Sequence, residues 1–349
     1  MNEKQFDIQS YDFYLPKELI AQVPSEKRSN SRLLVYFKDK DVVEHLNFSD
    51  IINLLDENWC IILNNTKVEN RKIECKKITG GVVYILITYY SENLIKFIPY
   101  KKVKINQKLI LPTGKLGTVV SKQQDTPEYE MQGNFGVDEI KEMIEKYGRA
   151  PLPPYIKRKP QDPLCELDKE RYQTVFAKNP ASLAAPTAGF HFDEELLKKL
   201  QEKKIKIFYI TLNIGLSTFI PVKTYDIRKH KLQPEELIIN KDTAYEINRC
   251  IEEGKNLLCV GTTVVRSIEF MATNFGKIKP YNGAVDIYIY PGYKFKIVKS
   301  LLTNFHLPKS TNLLLVASLI GREKLLELYK IAIEQKYRFY SYGDAMLII

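Results

Sequence analysis

The chain has 349 residues, of which 44% are hydrophobic and 27% are charged, a composition typical of globular proteins with about two domains. It has no run of the ~18 apolar residues that a membrane helix needs, and its first residues lack the basic-then-apolar pattern of a signal peptide. We therefore expect a cytoplasmic protein without membrane contact. Lys and Arg exceed Asp and Glu by 52 to 42, and the formal charge of +10 permits a polyanionic partner without requiring one.

Several familiar signatures are missing. The five cysteines form no CxxC pair, and no two of the four histidines are four residues apart, so we expect neither a disulfide framework nor a metal site. The chain contains no GxGxxG, GxxxxGK[ST], GxSxG or HExxH motif. Dinucleotide binding, ATP hydrolysis and the usual serine hydrolase and zincin activities therefore lack support.

The sequence pattern changes within the first 150 residues. Residues 1–62 predict a short helix after Pro16 and two strands, RLLVYF (32–37) and WCIILNN (59–65). From residue 63, short β-rich runs alternate with turns, and Gly80-Gly81 separates the arms of a hairpin. One amphipathic helix, 138–148, follows. We predict that residues 63–150 form an inserted small β-barrel or sandwich with one terminal helix.

Helices and strands alternate after the stiff connector APLPPYIKRKP (150–160). This alternation predicts a layered α/β domain, made of residues 1–62 and 151–349 and interrupted by the inserted β-barrel domain. The predicted helices are 193–204, 243–253, 264–274, 311–320 and 322–336, and the predicted strands are IKIFYITL (205–212), NLLCVG (256–261) and FKIVKSLL (295–302).

Polar side chains follow four of the predicted strands. Ligands of open α/β sheets bind in the crevice outside the carboxyl ends of the strands, so we predict that these clusters converge on one binding crevice. The alternative is ordinary turn chemistry. The four clusters are Asn64, Asn65 and Thr66; Asn213 and Gly215; Gly261, Thr262 and Thr263; and Asn304 and His306.

The stretch VGTTVVRSIE (260–269) predicts an anion site. Gly261 permits close approach of a ligand, and Thr262 or Thr263 caps a helix whose N–H groups face an anion such as a carboxylate. Arg266 lies on the same helix face and is placed to close over that anion. An exposed arginine beside an ordinary cap is the alternative.

The loop SLAAPTAGFHFDEELLKKL (182–200) is a second candidate ligand contact. Its small residues, among them Thr187 and Gly189, let a ligand approach the backbone. Phe190 and His191 end the loop just before a predicted helix. His191 is a candidate acid or base near neutral pH, and the alternative is a structural histidine.

The C-terminal segment KYRFYSYGDAMLII (336–349) places Arg338, Tyr340, Tyr342 and Asp344 close together. Aromatic residues at alternate positions predict a half-buried strand. Aromatic rings and a guanidinium group also form a suitable platform for a nucleobase.

Eight segments together resemble the S-adenosylmethionine:tRNA ribosyltransferase-isomerase family of queuosine biosynthesis. They occur in the family's order from residue 11 almost to the end of the chain. The segments are YDFYLPKELIAQVPSEKRSNSRLLV, LNNTKV, APLPPYI, RYQTVFA, AAPTAGFHFDEELL, VGTTVVRSIE, TNFHLPKSTNLLLV and YRFYSYGDAMLI.

The resemblance implies a specific reaction. The ribosyl part of S-adenosylmethionine is transferred to the aminomethyl group of 7-aminomethyl-7-deazaguanine at the first anticodon position of tRNA. The sugar is rearranged to an epoxycyclopentanediol, giving epoxyqueuosine-tRNA, adenine and methionine. The resemblance also implies an α/β domain with an inserted β-barrel, a monomer, and no cofactor other than S-adenosylmethionine, which is consumed as a co-substrate.

The chemistry of this reaction suggests roles for the candidate residues. His191 or His306 would transfer the proton beside the sulfonium, with Asp344 as a third catalytic candidate. Arg266 with Thr262 and Thr263 would bind the methionine carboxylate, and Tyr342 or Phe190 would stack on a base. The other substrate-binding candidates are Asn64, Asn65, Thr66, Thr187, Gly189, Gly261, Asn304 and Arg338.

Two basic runs, 146–160 and 228–231, are candidate contacts for the anticodon arm, and within them we predict tRNA binding by Lys157, Arg158 and Lys159.

Three motifs depart from the family pattern. NNTKVENRK has Lys67 where the family has Arg, TLNIGLSTFIPV has Asn213 for His and Ser217 for Gly, and HKLQPE has Gln233 for His. The tRNA-modifying enzyme remains the leading hypothesis, and two alternatives stay open. Asn213 and Gln233 motivate the first, a paralogue that uses S-adenosylmethionine on a small-molecule amine, and the second is a tRNA-binding protein of the same fold that has lost catalysis.

Overall fold

The computed structural model describes residues 3–124, 126–159, 161–215 and 222–349. The chain forms two compact units. The first contains Met1–Lys67, Pro154–Lys157 and Gln173–Ile349, and the second contains Val68–Pro153 and Arg158–Tyr172. None of the described helices is both long enough and apolar enough to cross a membrane.

The first unit is built on a nine-stranded mixed sheet. Its strands are β1 (Arg32–Phe37), β2 (Val42–Asn47), β3 (Trp59–Asn64), β12 (Lys206–Asn213), β13 (Glu235–Ile239), β14 (Asn256–Val260), β15 (Tyr281–Val285), β16 (Ser300–Asn304) and β17 (Ala345–Ile348). Their order in the sheet is β15-β13-β12-β3-β14-β16-β17-β1-β2, and β12, β3, β14 and β16 are parallel to one another. A short two-stranded sheet pairs β4 (Thr66–Val68) with β11 (Asn179–Ser182).

The central strands supply two hydrophobic cores, one on each face of the sheet. In β3, Cys60 and Ile62 belong to one core, while Ile61 and Leu63 belong to the other. Successive side chains of a strand point to opposite faces, so an uninterrupted apolar run is what a sheet covered on both faces requires. Helices α5 (Lys241–Glu252), α6 (Thr262–Phe275), α7 (Thr311–Ile320) and α8 (Arg322–Glu334) pack on the first core, and α1 (Ile51–Leu54) and α4 (Glu194–Glu202) pack on the second.

The second unit contains a closed six-stranded barrel. Its strands are β5 (Lys72–Lys77), β6 (Val82–Ser91), β7 (Leu94–Pro99), β8 (Lys108–Ile110), β9 (Leu116–Lys122) and β10 (Tyr129–Gly133). Their order in the barrel is β10-β7-β6-β5-β8-β9, with antiparallel neighbours. Helix α2 (Val137–Tyr147) adds Ile140, Met143 and Ile144 to the barrel core, and α3 (Leu164–Arg171) follows it in the chain. The predicted fold class, an α/β domain interrupted by a β-barrel, is confirmed.

The strand predicted at 295–302 lies further along the chain, at Ser300–Asn304. The reason is the buried Glu269 of α6, whose carboxylate accepts hydrogen bonds from the backbone N–H groups of Lys296, Ile297 and Val298 at 2.7 to 2.9 Å. These N–H groups are therefore not available to a neighbouring strand.

The alternating aromatics at 336–344 do not form the predicted strand. Tyr340 has a φ of +73°, and the Asp344 side chain accepts a hydrogen bond from the backbone N–H of Arg338 at 2.7 Å. These interactions fold the segment into a turn, and β17 begins only at Ala345. The alternation therefore reflects burial within a turn and not a strand.

Candidate active site

The carboxyl ends of the four parallel strands lie at one edge of the large sheet. Strand β17 is antiparallel to β16, so its first residue, Ala345, pairs with Asn304 at the same edge. The four predicted polar clusters therefore share this edge. Ser217, one of the departures from the family pattern, lies outside the described residues. The last residues of β12, β3, β14 and β16 are Asn213, Asn64, Val260 and Asn304.

The side chains of Asn304 and His191 form a buried hydrogen bond at this edge. Asn304 Nδ2 donates to the carbonyl oxygen of Tyr340 at 3.0 Å and lies 3.2 Å from His191 Nε2. A carbonyl oxygen can only accept, so the amide presents its NH2 group, and Nε2 of His191 must be the acceptor. Nδ1 then carries the proton and donates to Ser31 Oγ at 2.6 Å, while Ser31 Oγ donates to the carbonyl of Arg28.

Burial keeps His191 neutral. The ring stacks on Phe48 with centroids 5.0 Å apart and is fully enclosed. Desolvation, followed by the positive charges of Arg338 and Arg28, lowers the pKa of His191 to about 3. At neutral pH, Nε2 is therefore the only ring atom with a lone pair available to accept a proton.

His306 occupies a separate local environment. Its Nε2 lies 2.8 Å from Thr303 Oγ1, and its backbone N–H donates to the hydroxyl of Tyr329. Burial lowers the pKa of His306 to about 3. His306 therefore bonds to Thr303 of β16 and to Tyr329 of α8, whereas His191 contacts Asn304, the last residue of β16.

The start of α6 differs from the predicted threonine cap. The N-cap is Gly261, with a φ of +90°, and no side chain caps the helix. Thr262 Oγ1 instead donates to Asn312 Oδ1 at 3.0 Å, and Thr263 Oγ1 has no hydrogen-bond partner among the described residues. A Cβ added at Gly261 would lie 3.6 Å from that of Ala188, so this helix start adjoins the loop that carries His191.

Arg266 is buried in an ion pair and not exposed. Its Nη1 lies 2.6 Å from Glu235 Oε2, and only 9% and 1% of the two side chains are exposed. The other oxygen of Glu235 accepts from the backbone N–H of Gly215, and Arg266 Nε donates to the carbonyl of Ile287. Arg266 Nη2 is buried without a partner among the described residues. One guanidinium nitrogen thus remains available for an anion.

The loop residues 187–191 form a buried 3-10 helix, Thr187–His191. Gly189 has no room for a side chain, because a Cβ there would lie 2.8 Å from the side chains of Phe176 and Thr174. The Phe190 ring lies 6.2 Å from that of Tyr342, and Arg28 donates to the Phe190 carbonyl. The two predicted stacking rings are therefore neighbours.

The 64–66 cluster is occupied by contacts with β12. Asn64 bonds to both the backbone N–H and the carbonyl of Leu212, each at 3.0 Å, and Asn65 Oδ1 accepts from Thr211 Oγ1. Thr66 Oγ1 donates to Asn213 Oδ1. The side chains of this cluster therefore connect the end of β3 to β12. This agrees with the alternative that they serve the structure and do not bind a ligand.

Asp344 is engaged with the backbone. Its oxygens accept from the N–H groups of Arg32 and Arg338, at 3.0 and 2.7 Å, and its side chain is 3% exposed. The guanidinium of Arg338 lies 3.5 Å from the same carboxylate. The contacts of Asp344 fix the turn between Arg338 and Asp344, and the catalytic role stays a prediction.

The three predicted tRNA contacts differ in surroundings. Lys157 Nζ donates to the carbonyl of Pro154, while Arg158 forms a buried bidentate pair with Asp168 at 2.6 and 2.9 Å. Lys159 lines a cavity of the second unit.

Within the described part of the chain, no group of three His, Cys, Asp or Glu residues is arranged to hold a metal ion.

Two histidines with lowered pKa values, His191 and His306, predict an acid-sensitive fold. Their pKa values are near 3 in the folded protein and about 6.5 when unfolded, so the unfolded chain binds more protons between these values. The contribution of these two side chains to stability is fully present above about pH 6.5. It is lost as the pH is lowered toward 3, by up to about 1.4 kcal/mol per pH unit for each histidine. Urea unfolding, followed by the fluorescence of Trp59, measures this slope. His306→Gln should reduce the slope, and an unchanged slope would contradict the assignment.

The chain is similar to members of one protein family over nearly its whole length. The sequence profile of a family described as queuosine biosynthesis protein matches residues 8–348. The S-adenosylmethionine:tRNA ribosyltransferase-isomerase of Clostridioides difficile (strain 630) is 44% identical over 346 residues, which cover 97% of this chain and 98% of the relative. The protein of the same name from Sulfurihydrogenibium sp. (strain YO3AOP1) is 43% identical over 98% of this chain and 99% of its own.

A solved structure agrees with these matches. The crystal structure of S-adenosylmethionine tRNA ribosyltransferase from Thermotoga maritima has a TM-score of 0.56 to this chain at 28% identity, covering 97% of this chain and 100% of its own. The resemblance found in the eight sequence segments is confirmed over the full length. The chain belongs to the queuosine biosynthesis protein family.

Proposed function

We propose that this chain is an enzyme of queuosine biosynthesis that transfers the ribosyl group of S-adenosylmethionine to tRNA and isomerises it. The observation that carries the proposal is the similarity to relatives with this name at 44% and 43% identity over nearly the whole of both chains. The same relatives give no support to a small-amine acceptor or to a protein without catalysis.

We propose 7-aminomethyl-7-deazaguanine, at the first anticodon position, as the acceptor base. Its aminomethyl nitrogen loses a proton and forms a bond to a carbon of the sugar, while the bonds from the sugar to adenine and to the sulfonium sulfur break. New carbon–carbon and epoxide bonds then close the rearranged ring. Adenine and methionine leave, and the rearranged sugar remains on the tRNA. S-adenosylmethionine supplies the transferred group, so the reaction as proposed uses no bound cofactor, and we propose that the protein acts as a monomer.

The unpartnered polar atoms at the sheet edge support a site for S-adenosylmethionine. Arg266 Nη2, Thr263 Oγ1 and Asn304 Oδ1 are all buried without partners among the described residues. A buried polar atom without a hydrogen bond is costly, and a ligand that supplies the bond removes this cost. We assign the methionine carboxylate to Arg266 and Thr263, and a hydroxyl or amine donor of the nucleoside to Asn304.

His191 is the better candidate for proton transfer. Its proton-free Nε2 is bonded only to the Asn304 amide, at the relatively long distance of 3.2 Å. A substrate that donates a hydrogen bond to Asn304 Oδ1 would also shift the Asn304 NH2 group, which is bonded to His191 Nε2. Substrate binding would thereby free Nε2 to accept a proton. His306, whose Nε2 is 2.8 Å from Thr303, is the second candidate.

The two positions that lack family histidines have different surroundings. Asn213 bonds to Thr66 and, through Nδ2, to Glu236 at 2.8 Å, while Gln233 is exposed. Asn213 thus provides polar contacts at the sheet edge without a titratable group. The proposed proton transfer by His191 does not require either position.

Substitution of Arg266 tests the carboxylate assignment. Arg266→Lys keeps a cation beside Glu235 but lacks the second nitrogen, and we expect S-adenosylmethionine binding to weaken by about 1.5–3 kcal/mol, the worth of a hydrogen bond to a charged group. Isothermal calorimetry measures the affinity, and thermal melting checks the fold. Arg249→Lys, on the exposed face of α5, is the matched control. Equal affinities of the two variants would remove Arg266 from the site.

Adenine release tests the proposed function. Protein mixed with S-adenosylmethionine and precursor-bearing tRNA should release adenine, measured by liquid chromatography. The same tRNA with unmodified guanine should not stimulate release, because it lacks the nucleophilic amine. Release with a small amine alone would favour the paralogue, and no release with any acceptor would favour the inactive binding protein.

A further inference from the structure

A cavity of about 80 Å³ lies within the second unit and is lined by four cations and a single carboxylate. Lys72 is the first residue of β5, Arg149 follows α2, and Arg158 and Lys159 precede α3. The carboxylate is Asp168 of α3. The lining therefore carries excess positive charge in a confined space, where water screens charges less than at an open surface.

Two of the four cations have carboxylate partners. Arg158 is held by Asp168 in the buried bidentate pair. Arg149 lies 3.4 Å from Glu74, whose same oxygen accepts a hydrogen bond from the Tyr84 hydroxyl. Lys72 and Lys159 form no ion pair within the described parts of the chain. These two ammonium groups carry the unbalanced charge.

Aromatic rings hold the ammonium group of Lys72 in place. Its Nζ lies 4.5 Å from the ring centroid of Tyr100 and 5.3 Å from that of Tyr84. Cation–π contacts orient a cation and stabilise it without neutralising it. Burial, together with the charge of Arg149, lowers the pKa of Lys72, so its cationic form lacks stabilisation that an anion would restore.

We propose that this cavity binds a phosphate group of the tRNA backbone, with Lys72 and Lys159 as its principal contacts; the inference rests on the proposed function. A volume of about 80 Å³ is large enough for a phosphate group to replace several water molecules. A phosphate in this cavity fixes the position of a polynucleotide without reading its sequence.

The same structure revises the predicted tRNA contacts. Arg158→Ala would remove the bidentate ion pair with the buried Asp168, and variants that include it would therefore report on folding as well as on binding. Lys72 and Lys159 can be changed without breaking an ion pair of the described chain. Lys72→Met and Lys159→Met retain the aliphatic stem and remove the charge.

Cys165 provides a reporter that is independent of catalysis. It lines the cavity and is partly exposed, whereas the other four cysteines are buried. Alkylation of Cys165 by iodoacetamide, followed by mass spectrometry, therefore measures access to the cavity. Precursor tRNA at saturation should slow the alkylation at least about tenfold, and inorganic phosphate at equal phosphate concentration should have little effect.

The decisive experiment compares wild type, the Lys72→Met/Lys159→Met double variant and the control Lys76→Met, an exposed lysine of the same strand. Affinity for precursor tRNA is measured at several salt concentrations, together with Cys165 protection and adenine release. The double variant should lose tRNA affinity and protection, and its slope of log affinity against log salt should be shallower by about 0.7–0.9, one phosphate contact. Its affinity for S-adenosylmethionine should not change.

Three other outcomes are possible, and each of them overturns either the phosphate site, its assignment to tRNA or the proposed function. If the double variant keeps the tRNA affinity, salt slope and Cys165 protection of wild type while wild type releases adenine, the phosphate site is wrong and the proposed function stands. If inorganic phosphate protects Cys165 as well as tRNA does, the cavity is a site for a free anion and the tRNA assignment is overturned. If wild type binds tRNA through this cavity but never releases adenine, the proposed function fails instead.

Discussion

The buried amide of Asn304 is the contact on which the arrangement of the candidate site depends. It ends β16 and joins two segments distant in sequence, through the carbonyl of Tyr340 and Nε2 of His191. The carbonyl partner orients the amide, the amide fixes the histidine tautomer, and the histidine in turn bonds to Ser31 just before β1. One side chain therefore couples the C-terminal turn, the 187–191 loop and the start of the first strand.

The sheet topology places the other functional candidates around this amide. Four parallel strands end at one edge, and β17 and β1 begin there. The buried charged side chains at this edge have partners: Arg266 forms an ion pair with Glu235, and Asp344 accepts hydrogen bonds from two backbone N–H groups. Such groups remain charged in a protein interior only when they are paired or hydrogen-bonded. The edge is therefore polar and ordered at the same time.

Periodicity predicted the apolar central elements well, because burial on both faces leaves a clear pattern. Strand β1 and helix α7 match their predicted ranges, whereas the polar strands β2, β13 and β15 on either side of the sheet carry no comparable signal. The sequence also cannot show that Glu269 binds the N–H groups of 296–298, since this contact joins segments far apart along the chain. The same limit explains why Asn64 and Asn304 look alike in sequence, although Asn64 joins two strands and Asn304 bonds to a histidine. The contacts of Ser31 with His191 and of Glu235 with Arg266 likewise join distant parts of the chain, so the structure shows them and the sequence pattern does not.

Nitrogen-15 NMR of the histidine side chains tests the central claim most directly, with each of the four signals assigned by substitution. We predict that His191 is the neutral Nδ1–H tautomer at pH 7, that it does not titrate between pH 5 and 8, and that its signal shifts when S-adenosylmethionine is added. An Nε2–H tautomer, a pKa near 6.5, or a signal that S-adenosylmethionine leaves unchanged would contradict the account.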